Sequence, residues 1–307
     1  MNRNRFDPVG ALCLFSTALI WGTAFVMQDR GAVYLGSFTL QALRSVIAAA
    51  ALSLLLLLRA LRQKARGTFA FPEKTRLKKT LLCGALCGVL LGVASLLQQF
   101  GIAANVTSPG KDAFITALYI VFVPLLSLFF GKRAAPHVYL AALTALCGLW
   151  LLCMAGSSIS AGDLLVISCS LVFAVHIVVV DRVIDGVDGL ALSTVQFLIM
   201  SVICLVCMFV FERPAWENIL AAKWEVLYMG LISGAGGYTL QILGQARTAP
   251  AVASLLMSLE SVFAVIASAL FIPDLPPFSA REYIGMALIF LAVIAAQLSF
   301  DKKKEEA

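Results

Sequence analysis

Charge is scarce in this sequence. Asp, Glu, Lys and Arg make up 13% of its 307 residues, where a soluble domain carries about 25%. Apolar residues reach 61%, and the mean hydropathy is +0.95. This balance excludes a water-soluble core and leaves an integral membrane protein. Histidine is rarer still, with two residues. No His/carboxylate cluster and no metal-ligand spacing appears, which speaks against an enzyme and against a bound metal or other cofactor. There is no P-loop, so direct coupling to ATP has no support. Long polar stretches are missing as well. Only the connectors 59–79 and 212–224 exceed a dozen residues, so no soluble domain fits between the apolar segments. No small-residue cleavage site ends the first apolar run, which reads as a first span and not as a cleaved signal.

Cysteine is present but patterned like a hydrophobe. Seven of the eight lie inside apolar runs, and Cys153 lies near the end of one. Cys204 and Cys207 form a CxxC set among Val and Leu, with no second pair and no nearby His. They read as packing residues. The net charge of +6 calls for no nucleic-acid partner, because the basic residues cluster between apolar segments and not on one face.

What is there is a series of apolar runs near the ~20 residues a helix needs to cross a bilayer. Ten are read: 11–28, 36–58, 80–101, 111–130, 137–155, 162–180, 190–211, 225–245, 250–271 and 281–299. Backbone polar groups in lipid must be satisfied within the segment, so these are helices, and the alternation of a barrel is absent. Lys and Arg set the orientation. With the N-terminus cytoplasmic, the inner segments hold Arg3, Arg5, the dense run from Arg59 to Lys79, Lys132, Arg133, Arg182, Arg247 and Lys302 to Lys304. The outer ends hold fewer: Arg30, Lys111, Arg213, Lys223 and Arg281. Both termini are expected in the cytoplasm and the protein in the cell (inner) membrane.

The chain also repeats itself. Thr107 to Pro124, TSPGKDAFITALYIVFVP, overlies Thr248 to Val265, TAPAVASLLMSLESVFAV. Thr107 meets Thr248, Pro109 meets Pro250, and Leu118 meets Leu259. Gly10 to Arg30 likewise overlies Gly162 to Arg182, and Gln98 and Gly101 overlie Gln241 and Gly244. Each half, 1–156 and 157–307, holds five spans. Five is odd, so the second half enters the membrane from the opposite side. The expected fold is all-α: a polytopic membrane protein of ten transmembrane helices in two inverted five-helix repeats. That is a recurring construction of secondary transporters.

Several phrases carry a family resemblance: IWGTAF (Ile20 to Phe25), LRSVIAA (Leu43 to Ala49), SPGKDAFITALYIVFVPLLS opening span four, ASLLMSLESVFA (Ala253 to Ala264) and IGMALIFLAVI (Ile284 to Ile294). With the ten-span pattern, they resemble EamA-type members of the drug/metabolite transporter superfamily over nearly the whole chain. The resemblance implies export of a small metabolite without naming it. Members more often carry Pro after the Glu of the span-nine phrase; here Ser261 follows Glu260. The WG of span one has no copy in span six, where Phe173 and Ala174 stand.

Candidate site residues lie inside spans, where polar groups are costly. Glu260 falls about ten residues into its span, ~15 Å deep at ~1.5 Å per residue. It reads as a proton carrier, as a counter-charge for a substrate amine, or as a structural carboxyl bonded to a helix or to Arg44. Arg44 reads as a structural ion tie between spans before a substrate contact. His176, among Val and Ile, is a proton site or a hydrogen-bonded packing residue. Gln98, Gln99, Gln241 and Gln245 close spans three and eight, as ligands for a zwitterion or as inter-helix links. Trp21, Tyr119 and Tyr238 line a cavity or simply pack. The stripes Gly84, Gly88, Gly92 and Gly230, Gly234, Gly237 read as close helix packing. Lys111 and Asp112 read as headgroup-level charges or as a gate pair.

The favoured function is a secondary transporter exporting a small polar or amphipathic, amino-acid-like metabolite by alternating access, with protons as the candidate coupling ion. A lipid or lipid-linked substrate translocator of the same fold, and a non-transporting accessory or sensing protein, are the alternatives. The expected partners are the small-molecule substrate and the lipid bilayer, with the chain a monomer or a homodimer.

Overall fold

The computed structural model describes residues 7–68, 70–104, 109–131, 133–154, 160–272 and 279–298. Arg3, Arg5, Thr107, Ser108, Lys132, Lys302 to Lys304, the side chain of Cys153 and the last residues of the expected spans 137–155 and 281–299 lie outside the described residues. All regular structure among the described residues is helical.

Eight segments among them are long and apolar enough to cross a membrane. They are α1 (Pro8–Ala32), α2 (Ser37–Ala65), α3 (Lys74–Ala104), the pair α4 (Pro109–Thr116) and α5 (Tyr119–Phe129), and, after α6 (Pro136–Leu149), α7 (Ala161–Val183) and α8 (Gly189–Phe211). A short α9 (Trp216–Ala221) leads into α10 (Lys223–Leu227), which runs through a π-helical stretch, Tyr228–Gly237, into α11 (Tyr238–Gln245). The last of the eight is the pair α12 (Pro250–Met257) and α13 (Glu260–Phe271). The shorter α6, extended by a π turn over Trp150–Met154, packs along α14 (Ala280–Leu298). Helices begin or end within a few residues of the hydropathy limits, except that α2 and α3 run several residues further into the basic connector.

Leu12, Leu54, Leu143 and Leu270 are exposed. Such surfaces suit acyl chains and not water. The chain is a multi-pass membrane protein. Trp216 and Trp224, on α9 and α10, are both 69% exposed, as suits indole rings at a membrane interface.

Helix ends are capped by residues near and far. Asp7 accepts from the Gly10 backbone at 2.7 Å at the start of α1. That bond, with the nearby Arg247 charge, holds the Asp7 carboxyl below its ordinary value. Ser160 and Asp163 form a capping box on α7. Glu212, at the end of α8, caps α2 in trans: it accepts from the backbone of Phe38 at 3.0 Å and of Thr39 at 2.7 Å. Gly84 and Gly88 bring α3 against Val195 and Gln196 of α8, and Gly230 and Gly234 lie against Ile47 and Ala48 of α2.

Two spans read as continuous helices are instead tightened in the middle. In the first, Leu118 donates to the Ile115 carbonyl and Ile120 to Ala117, a 3₁₀ pattern. In the second, Leu259 donates to Leu256 and Ser261 to Ser258, at matching positions. The backbone stays right-handed at both Leu118 and Leu259. The second turn forms without a proline. Ser254, Ser258 and Ser261 supply hydroxyls instead, Ser261 Oγ reaching the Ala113 carbonyl of α4 at 3.0 Å. Serine hydroxyls bonded to backbone carbonyls bend helices.

Lys111 and Asp112, read as headgroup-level charges or as a gate pair, are withdrawn from the surface. Both residues are buried, and Lys111 Nζ lies 2.7 Å from Asp163 Oδ2 on α7. An adjacent Lys and Asp on a helix project to different sides, so the partner comes from another helix.

Candidate functional site

The two tightened turns meet at the centre of the bundle. Tyr119 and Glu260 are the first residues after them, and Tyr119 Oη donates to Glu260 Oε1 at 2.8 Å. Both side chains are buried. Helix α1 presses on the same turn through Gly22, where a Cβ would stand 2.7 Å from the Glu260 carbonyl oxygen and 2.5 Å from Phe263 Cβ. Only glycine permits that approach, which gives the Trp21-Gly22 dipeptide a steric reason.

A cavity of about 30 Å³ opens beside this pair. Seven of the residues singled out in the sequence line it: Trp21, Arg44, Gln98, Tyr119, Tyr238, Gln241 and Glu260. Trp21 and Tyr238 form one wall, their ring centroids 4.6 Å apart. Gln98 donates to Thr116 Oγ1 at 3.1 Å. The four glutamines divide by role. Gln98 and Gln241 face the cavity, whereas Gln99 bonds Gln41 and the Gln28 carbonyl, and Gln245 donates to the Ile177 carbonyl at 3.0 Å.

His176 is not among the lining residues. It is fully buried behind Tyr238, its Nε2 3.2 Å from Gln196 Oε1 and its ring 6.4 Å from the Tyr238 ring. Arg44, 3% exposed, reaches Gln41 Oε1 and Ser233 Oγ, each at 3.4 Å. The tie expected of it therefore joins α2 to the π stretch through neutral side chains. No carboxylate among the described residues pairs with it.

Sequence reading missed Gln28, Thr116, Ser233 and Phe173, which also line the cavity. Gln28 had a signal. Trp21, Ala24, Phe25 and Gln28 fall at i, i+3, i+4 and i+7, one face of α1. Ser233 had none, because the π stretch that turns it inward is not written in hydropathy.

The volume fits one or two waters and no metabolite. A ligand enters only when the helices around the cavity part. A narrow cavity bearing buried polar side chains at the core of a polytopic helical bundle, reached by two helices that tighten at matched positions, is the arrangement of a membrane transporter.

The family comparison agrees. The chain matches the EamA-like transporter family over residues 8–154 and 160–296. It belongs to that family, within the drug/metabolite transporter superfamily. No curated protein matches it in sequence. A solved structure, described only as the crystal structure of a protein, is similar over 96% of this chain and 98% of its own, with a TM-score of 0.71 and 19% identity. At that identity the likeness is one of fold.

Proposed function

We propose that this transporter exports a small polar or amphipathic, amino-acid-like metabolite from the cell by alternating access, with Glu260 carrying the coupling proton. The observation that carries the reading is the Tyr119–Glu260 bond beside the central cavity. A carboxyl at that depth, with no cation paired to it among the described residues, is expensive unless used. Rocking of the two halves about that point exposes it to each side in turn.

The architecture proposed is ten spans in two inverted five-helix repeats, 1–156 and 157–307. Several features support it. The family matches in two stretches that nearly coincide with the halves. Tyr119 and Glu260 occupy the same place in the overlaid copies and touch each other. Equivalent residues of two repeats touch only on the axis that relates them. The close approaches also come in pairs: Gly101 lies on Gly162, and Gly244 on Gly10, which are the equivalent positions exchanged between halves.

The proposed orientation, both termini cytoplasmic in the inner membrane, accords with the ion pairs. Arg59 pairs with Asp188 at 2.7 Å, and Lys79 donates to the Asp185 carbonyl. Both join ends that ten spans put on one side. A lipid translocator calls for a lateral opening with a basic rim, and among the described residues the cavity has one lining cation, Arg44.

The test is flux from proteoliposomes across an imposed proton gradient. Glu260→Gln is expected to abolish the pH-dependent component while the protein still inserts and folds. Unchanged pH-dependent export by the variant would remove Glu260 from the mechanism.

A further inference from the structure

We infer that the cytoplasmic end of α2 holds an anionic phospholipid, its phosphate on Arg62 and Arg66 and its acyl chains along Leu55 and Leu58. The inference goes beyond the transport reading and involves no transported substrate. Only the choice of the inner leaflet rests on the orientation proposed above.

The sequence of α2 prepares the site. The helix runs to Ala65, past the apolar run that ends at 58. Leu55, Leu58, Arg62 and Arg66 follow at steps of three and four, so they share one face, with Arg59 beside them. That face is apolar in its first turn and basic in its last two. At ~1.5 Å per residue, Arg62 stands ~10 Å beyond Leu55, a step that leads from the hydrocarbon into the headgroup layer.

The chain then makes a groove of this face. Gly67, with φ at +68°, lets the backbone turn back. Thr68 donates to the Gln63 carbonyl through its N–H at 2.9 Å and its hydroxyl at 3.3 Å. With Thr68 at one end, the groove has a volume of about 440 Å³, the size of a ligand pocket. Leu55 and Leu58 line its apolar end and are exposed there.

The charges choose the occupant. Arg59 is engaged, 2.7 Å from Asp188 Oδ2, the cap of α8. Arg62 and Arg66 line the same groove, and no carboxylate among the described residues pairs with either. Glu73 is the one acidic residue between Arg59 and Lys79. The guanidinium fork matches two phosphate oxygens, and basic pockets at the cytoplasmic ends of spans bind anionic headgroups. A soluble polyanion leaves Leu55 and Leu58 uncovered. A zwitterionic lipid brings its ammonium against the guanidiniums. A lipid with a net negative headgroup satisfies both ends of the groove.

The experiment is native mass spectrometry of the purified full-length protein in neutral detergent, titrated with phosphatidylglycerol or with phosphatidylcholine of the same acyl chains. The wild type is expected to retain one phosphatidylglycerol about tenfold more tightly than phosphatidylcholine. Arg62→Gln combined with Arg66→Gln is expected to abolish that preference. Lys74→Gln combined with Lys78→Gln removes the same charge from the start of α3, outside the groove, and is expected to keep it. Arg62→Lys combined with Arg66→Lys is expected to recover part of the preference, and it decides the case if the glutamine variant melts early. The headgroup without chains, sn-glycerol 3-phosphate, is expected not to displace the lipid. The inference is overturned if the wild type binds both lipids alike, or if the arginine-to-glutamine variant keeps the preference. It is also overturned if the lysine-to-glutamine variant loses as much, which would show diffuse surface charge. Displacement by sn-glycerol 3-phosphate as readily as by phosphatidylglycerol would overturn it too, by showing a site for free phosphate. Each failure leaves the transporter reading to the flux test above.

Discussion

Tyr119 and Glu260 show how much one hydrogen bond can carry. The sequence overlay places them at the same point of two copies, and the fold brings them to 2.8 Å. The copies thus differ chemically at the one place where they meet: a phenol on one side, a carboxyl on the other. Neighbouring polar groups follow the same economy. Gln98 and Gln241 overlie each other and both face the cavity, while Gln99 and Gln245 hold helices together. The pair makes a testable unit. Tyr119→Phe leaves a buried carboxyl without its donor and is expected to destabilise the protein by about 1–3 kcal/mol. In a double-mutant cycle with Glu260→Gln, the combined loss is expected to be smaller than the sum of the two single losses. Melting temperatures in detergent read the cycle, and strict additivity would show that the bond has no energetic weight.

Among the elements, the tightened turns of α4–α5 and α12–α13 matter most. A 3₁₀ turn inside a helix often marks a hinge, and here each turn ends on a residue of the central pair. The outer helices are joined differently. Gly148 and Gly285 let α6 and α14 touch backbone to backbone: a Cβ on Gly148 would lie 2.8 Å from the Gly285 carbonyl oxygen, and one on Gly285 would lie 2.7 Å from that of Gly148. Neither contact can yield by moving a side chain. Gly148→Leu is therefore expected to push α14 away and cost about 1–3 kcal/mol. A lowered melting temperature with binding at the central cavity retained is the expected result, because neither helix lines that cavity. A variant as stable as the wild type would show that the two helices need no close approach.

At the scale of the whole molecule, four ion pairs among the described residues join the proposed halves, and two of them, at opposite ends, differ in burial. Lys111–Asp163 is buried and short, at 2.7 Å, with side chains 3% and 1% exposed. Asp7–Arg247 is longer, at 3.5 Å, with side chains 22% and 42% exposed. Breaking a buried pair strands a charge and costs about 3–5 kcal/mol, whereas an exposed pair contributes ~0–1 kcal/mol. Asp163→Asn is thus expected to lower the melting temperature well beyond Asp7→Asn. Equal effects would mean that water reaches both ends alike.

Much of this protein was written in its sequence. Composition alone required a membrane, because 61% apolar residues cannot be buried in a chain of this size. Hydropathy located the helices, since lipid selects for it residue by residue. The copy at Thr248 led to Glu260, and depth along the span marked it as costly. Tertiary structure decided the rest. It brought Lys111 to Asp163 inside the bundle, left Arg44 without a carboxylate among the described residues, set His176 behind Tyr238, and tightened two spans that read as plain helices. The reason is physical. A helix that is apolar all round does not announce which face turns inward, so hydropathy records depth in the bilayer but not direction. Direction, and with it the choice of partners, is set only when distant helices pack against one another.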